Sequence, residues 1–197
     1  MIFLFLETER LVLRYWAYSD VDSLIEGLNN LEVSKWLVTV PHPYSKENAE
    51  SFISYCLKTS VEGQNQNSYE FAIELKSEKK IIGGTAINKI NILHGTAGGG
   101  IWLNALYHSC GYGVEAFGKR IEFAFNTLNL RRLENGYLEG NMASWSMQKK
   151  FGYVVEGKRR KGFFCMADGQ LKDEYITALL IDDWKKIIID LRRTKPR

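Results

Sequence analysis

The sequence predicts an α/β fold of the α+β type: a mixed, mostly antiparallel central sheet flanked by helices, in one domain over residues 1–197. Three observations predict it. Runs at 69–75, 81–92 and 96–103 alternate apolar with other residues across short turns, the pattern of an antiparallel meander. Val114, Phe117, Ile121, Phe125 and Leu128 then recur at helical spacing, one apolar stripe fit to pack on that sheet. Between these lies His108-Ser109-Cys110-Gly111-Tyr112-Gly113, a glycine-bearing turn from strand to helix.

Each element has its own warrant. Leu11, Leu13 and Tyr15 alternate with Val12, Arg14 and Trp16 as a first strand, with Ile2 to Leu6 leading in. Ser19 to Asp22 reads as a capping box, followed by Leu24, Ile25, Leu28 and Leu31 on one helical face. Pro41 and Pro43 break the chain, and Ser45 caps a helix with Ala49, Phe52, Ile53, Cys56 and Leu57 on its face. Gly63 to Ser68 is a polar loop. Lys76 to Lys80 and His94-Gly95 are the meander turns. After the central helix come a strand at Arg132 to Leu138 and a short helix at Asn141 to Phe151, stopped by Gly152. Strands at Val154 to Arg160 and Tyr175 to Leu180 flank the loop Ala167 to Gln170, and Asp182 to Leu191 is helical. No repeat, linker or low-complexity tract appears.

Composition narrows the function classes. At 45% hydrophobic residues the chain can fill a core, and a net charge of +3 is too mild to imply nucleic acid. Cys56, Cys110 and Cys165 are scattered with no C-x-x-C pair, so neither a zinc ribbon nor a disulfide framework is expected, and a reducing cytoplasm is the simpler setting. His42 and His94 lack metal-ligand spacing, so no metal is expected. Met1 to Leu6 has no basic leader and is too short for a signal peptide, and no run reaches the length of a membrane span.

The strand–turn–helix is where the chemistry concentrates. The first N–H groups of a helix have no intrahelical acceptor, and the helix dipole favours negative charge there. Gly111 and Gly113 let backbone approach a phosphate without an intervening side chain. The turn lacks the Gly-Lys-Ser/Thr of a nucleotide kinase. The preceding meander is not the βαβ unit of a dinucleotide dehydrogenase. Downstream, Asn141-Met-Ala-Ser144 opens a short helix and Lys150-Phe-Gly152-Tyr153 closes it; Asn141 also suits an ordinary helix cap.

Taken in order, these motifs resemble the GNAT (GCN5-related) N-acetyltransferases, and most closely the RimJ/RimL-like branch. The resemblance spans Glu7-Thr-Glu-Arg-Leu-x-Leu-Arg14, His108-x-x-Gly111-x-Gly113 with Val114-Glu115-Ala116, Asn141-x-x-Ser144, and Lys150-x-Gly152-Tyr153. It continues through Glu156-Gly157, Arg160, Asp168-Gly169, Asp173, Tyr175 and Asp183-Trp184. It implies a GNAT fold holding acetyl-CoA, without a metal, in the cleft beside the fourth strand. By the same resemblance His108, Ser109, Cys110, Gly111, Tyr112, Gly113 and Val114 hold the pyrophosphate. Ile101, Trp102 and Leu103 offer backbone donors to the thioester oxygen. Asn141 meets the pantetheine arm, and Ser144 donates a proton to, or hydrogen-bonds, the leaving sulfur. The implied partners are acetyl-CoA and an amine acceptor, with no nucleic acid and no membrane; a homodimer stays open. The acceptor that the resemblance implies is the N-terminal α-amine of a protein, such as a ribosomal protein. The alternatives are a small-molecule amine (polyamine or antibiotic) and a non-catalytic acyl-CoA-binding module.

Two positions depart from the family pattern. His108 stands where Arg or Gln is usual, a weaker permanent cation. Gly98 stands where an acid often helps to deprotonate the amine. Deprotonation then falls to water or to a more distant carboxylate, Glu134 or Glu139.

Overall fold

Alternating leucines build the first edge of the sheet. In the computed structural model, which describes residues 4–59 and 67–194, β1 (Phe5–Glu7) pairs antiparallel with β2 (Leu11–Tyr15), whose Leu11 and Leu13 are fully buried. Arg14 donates to both carboxylate oxygens of Asp20, at 2.8 and 2.9 Å, and Asp20 accepts the Ala17 N–H at 2.9 Å. This cluster, and not the expected Ser19-to-Asp22 box, sets the start of α1 (Val21–Leu28). Asn30 caps a one-turn α2 (Leu31–Ser34), so the single face expected from Leu24 to Leu31 is split in two. Ser45 and Asn48 cap α3 (Lys46–Thr59); its Ala49, Ile53 and Cys56 are buried, while Leu57 faces outward. The expected polar loop at Gly63 to Ser68 lies outside the described residues up to position 66, as do positions 1–3 of the lead-in.

The meander follows as expected and then departs from it. β3 (Tyr69–Leu75) pairs antiparallel with β4 (Lys80–Asn91). The single strand expected over 96–103 is two: β5 (Thr96–Gly98) and β6 (Ile101–Leu103), both on β4. Gly99 between them has φ +147, and a Cβ there would lie 2.0 Å from the Ala86 carbonyl oxygen. Only glycine fits that bulge. α4 (Tyr112–Asn126) leads into β7 (Arg132–Leu138), which runs parallel to β5 at two residue pairs only, Thr96–Arg132 and Ala97–Leu133. Beyond them β6 stays on β4, while β7 turns to β9 (Gln170–Leu180). The sheet therefore opens into a V.

The far arm carries α5 (Met142–Lys150), closed by Gly152 at φ +89, and a long hairpin of β8 (Val154–Cys165) with β9. Both late strands run further than expected, meeting at the turn 166–169. α6 (Ile181–Thr194) ends the described chain. Strand order is β1-β2-β3-β4-β5-β7-β9-β8. Phe71, Ile73, Phe117, Ile121 and Leu133 form the core under α4; Trp16, Leu24, Ile53 and Ala72 form the one under α1 and α3. Full burial of each leucine, isoleucine or phenylalanine among them is worth about 1.5–3 kcal/mol. One tie crosses the V at its outer rim. The Met166 N–H donates to the Val38 carbonyl at 3.1 Å, and Lys172 Nζ donates to the Lys35 carbonyl at 2.7 Å.

Candidate active site

The helix start at the mouth of the V is bare. Gly111, at φ +83, is the N-cap of α4 and offers no side-chain cap, so the N–H groups of Tyr112, Gly113 and Val114 have no partner within the helix. Ser109, also at positive φ, and Cys110 complete the turn; the Cys110 side chain is exposed, with Sγ 3.4 Å from the His108 carbonyl. Arg10 fixes this turn from β2's side. Its Nη1 donates to the Cys110 carbonyl at 3.0 Å, its Nε to Glu115 at 2.7 Å, and its guanidinium lies 4.4 Å from the Tyr112 ring centre. With one carbonyl turned toward Arg10, the backbone of the turn is held in place around its amides.

His108, at the end of the same turn, makes a contact of its own. Its Nε2 lies 2.9 Å from the Leu103 carbonyl oxygen. A carbonyl only accepts, so Nε2 carries a proton here, and the ring ties the end of β6 to the turn.

A cavity of about 1390 Å³ runs through the V. The structure brings Ile101, Trp102, Leu103, His108, Ser109, Gly111, Gly113, Val114, Glu134, Asn141 and Ser144 to its walls. Cys110 and Tyr112 complete the same turn beside it. β6 pairs with β4 alone, so its edge toward β7 has no strand partner. The Trp102 indole packs against α1 and β4: a Cβ on Gly27 or Gly84 would approach it to 2.6 or 2.8 Å. Its role is to seat the strand whose backbone lines the cleft.

Across the V, Asn141 Oδ1 accepts the Ser144 N–H at 3.1 Å, so the expected cap is made. The Ser144 hydroxyl has a more particular setting. Thr177 Oγ1 donates to Gln148 Oε1 at 2.6 Å; Gln148 Nε2 then donates to the Gly136 carbonyl and to Ser144 Oγ, both at 3.1 Å. Ser144 accepts there and keeps its hydrogen to donate; among the described residues nothing accepts it.

The opposite wall, under α1 and α3, is aromatic, with Trp16, Trp36, Tyr44 and Phe52. Four carboxylates reach this cavity: Glu32, Glu70, Glu134 and Glu174. Glu32 pairs with Lys35 at 2.6 Å, Glu134 with Arg132 at 3.1 Å and Glu174 with Arg159 at 2.8 Å. Glu139, the other sequence candidate, is bound by Lys158 at 2.7 Å. Glu70 has no ion-pair partner among the described residues; it accepts the Ser68 hydroxyl at 2.7 Å and is 8% exposed. Burial pushes its carboxyl above the usual range, against the pull of Ser68 and Arg120. The sequence reading missed Glu70 and Gln148. The sequence carries no signal for Glu70, because it and Glu74 alternate with the apolar residues of Tyr69–Leu75 as solvent-facing acids would.

Comparison with known proteins agrees with this geometry. Residues 10–154 match the model of the acetyltransferase (GNAT) domain. The chain is 31% identical over 175 residues to p20, an uncharacterized N-acetyltransferase of Bacillus licheniformis, covering 89% of this chain and 95% of that one. The ribosomal-protein-S5-alanine acetyltransferase of Vibrio fischeri is similar in structure, with TM-score 0.74 at 22% identity over 92% of this chain and 98% of that one. So is the spermidine N-acetyltransferase of Vibrio cholerae solved with CoA and spermine, at TM-score 0.75 and 20% identity over 90% and 99%. The last two act by name on different amines, so the shared fold does not choose an acceptor.

Proposed function

The chain belongs to the GNAT family of N-acetyltransferases, and on that premise we propose that it acetylates one amine per acceptor, the N-terminal α-amine of a protein. The observation that carries this reading is the charge count of the cavity. Of its four carboxylates, three are paired to a cation of the chain itself. One buried negative group suits one ammonium. A polyamine carries several, and each would need its own unpaired acid to leave water. The aromatic wall favours an acceptor whose amine adjoins an apolar body.

GNAT enzymes use acetyl-CoA, which supplies the activated acetyl group. The residues present suit it: an uncapped helix start for a pyrophosphate, and an unpaired strand edge along a cleft. In this reading the Gly111 to Val114 amides hold the pyrophosphate, with His108 beside them at the cavity wall. Backbone N–H groups of Ile101 to Leu103 face the thioester oxygen, where fixed donors act most strongly on developing charge. Asn141 positions the pantetheine arm, and Ser144 gives its proton to the departing sulfur.

The test is a panel with acetyl-CoA, following free thiol: peptides with a free N-terminus, a blocked peptide bearing lysine, spermidine and an aminoglycoside. Free N-termini are expected to react fastest. Preference for spermidine or for the blocked lysine peptide would overturn the acceptor assignment.

A further inference from the structure

Glu70 has a clear line to the bulge. It stands opposite Ala86 in the β3–β4 register, and the Ala86 N–H donates to the Gly100 carbonyl at 3.0 Å. A Cβ on Gly100 would meet nothing within 4 Å. Directly across the sheet from Glu70 on this face stand only the methyl group of Ala86 and the hydrogen of Gly100. Strands lie about 4.8 Å apart, so the backbones of Glu70 and Gly100 are roughly 10 Å apart. An extended glutamate and one amine fill that span.

We propose that Glu70 is the group that receives the acceptor's ammonium and takes its proton, two strands from where Gly98 leaves an acid missing. This rests on the acetyl-transfer reading above. The ammonium gives one proton to a Glu70 oxygen. The freed lone pair forms the C–N bond to the acetyl carbon as the C–S bond breaks. The sulfur leaves with a proton delivered through Ser144, and the nitrogen's second proton, lost as the amide forms, makes up that loss. Glu70 returns its proton to solvent.

The groups facing Glu70 are Ser68 on its own strand's approach, Cys56 from α3 and Arg120 from α4. Tyr44 and Asn88 share its cavity. Arg120 is fully buried behind the bulge, with no hydrogen bond among the described residues; burial pushes its pKa down, against the pull of Tyr153 and Glu70. Its Nη2 would lie 3.1 Å from a Cβ on Gly99.

The deciding experiment is the pH profile of kcat/KM for wild type and Glu70→Gln on a free-N-terminus peptide, with acetyl-CoA affinity and melting temperature measured beside it. Wild type should show an acid limb above the ordinary carboxylate range and then a plateau. The variant should bind acetyl-CoA as wild type does. It should lose about 100-fold or more at neutral pH, with a rate that climbs steadily as water takes over the deprotonation. Matching profiles would overturn the role of Glu70. Wild type inactive on every free N-terminus but active on another amine would overturn the acceptor reading, and the same pair of profiles is then run on that amine. If the variant melts early, Ser68→Ala replaces it. Loss of that donor raises the carboxyl pKa and must move the acid limb to higher pH; an unmoved limb overturns the proposal.

Discussion

At the scale of single residues, the site turns on which hydroxyl hydrogen is left free. Gln148 spends both amide hydrogens, one on the Gly136 carbonyl and one on Ser144 Oγ. That aims the serine hydrogen away from Gln148. Ser144→Ala should therefore lower kcat about 100-fold with little change in acetyl-CoA affinity, because a proton donor to the leaving group acts in the transition state. Gln148→Met should give a smaller kcat loss of the same kind, since the hydroxyl stays but is no longer oriented. Steady-state kinetics beside calorimetry with CoA check both; a loss confined to affinity would return Ser144 to a structural part. Asn141 and Ser144 were legible because their spacing is local. Gln148 and Glu70 were not. A glutamine on a helix reads as solvated, and an acid in a strand reads as facing water until a partner strand covers it. His108 was placed correctly in the chain, but its partner, the Leu103 carbonyl, is chosen by the fold of the turn.

Among the elements, the turn into α4 and the break between β5 and β6 make the cleft. The first could be read from sequence, because strand, glycines and helix follow one another directly. The break could not: three glycines in a row suit a strand edge, a turn or a bulge equally. What decides is Ala86, whose carbonyl occupies the space a side chain at Gly99 would need. The α4 start gives the sharper test. A Cβ at Gly113 would touch Leu103 and Met147 at 3.4 and 3.8 Å, ordinary contact distances. Gly113→Glu should thus keep the fold while setting a carboxylate where a pyrophosphate would lie. Calorimetry should show loss of CoA binding with a near-normal melting temperature. CoA affinity equal to wild type would remove the turn from the binding site.

For the molecule as a whole, the two arms of the V differ in how they are held. The arm of β1 to β4 and α4 rests on buried aliphatic and aromatic side chains. The β8–β9 hairpin is edge structure, laced by ion pairs. Arg132, Lys172 and Lys158 hold Glu156, Asp168 and Asp173 below the usual carboxylate range. A carboxyl with a depressed folded pKa stabilises above its unfolded value, and that stability is lost as pH falls through the folded one. The hairpin should loosen on acidification from about pH 5 toward pH 3, and sooner in high salt, because each pair is at least partly open to solvent and screened. Hydrogen exchange across that window should show β8 and β9 opening before β2 and β3; simultaneous opening would count against it. The tie from Lys35 and Val38 to Lys172 and Met166 has a different consequence. On the acceptor reading proposed above, it turns the acceptor side of the cleft into an eyelet. A free chain end passes through an eyelet singly, whereas the middle of a chain must go through doubled. An eyelet of this kind sorts ends from middles before any side chain is recognised.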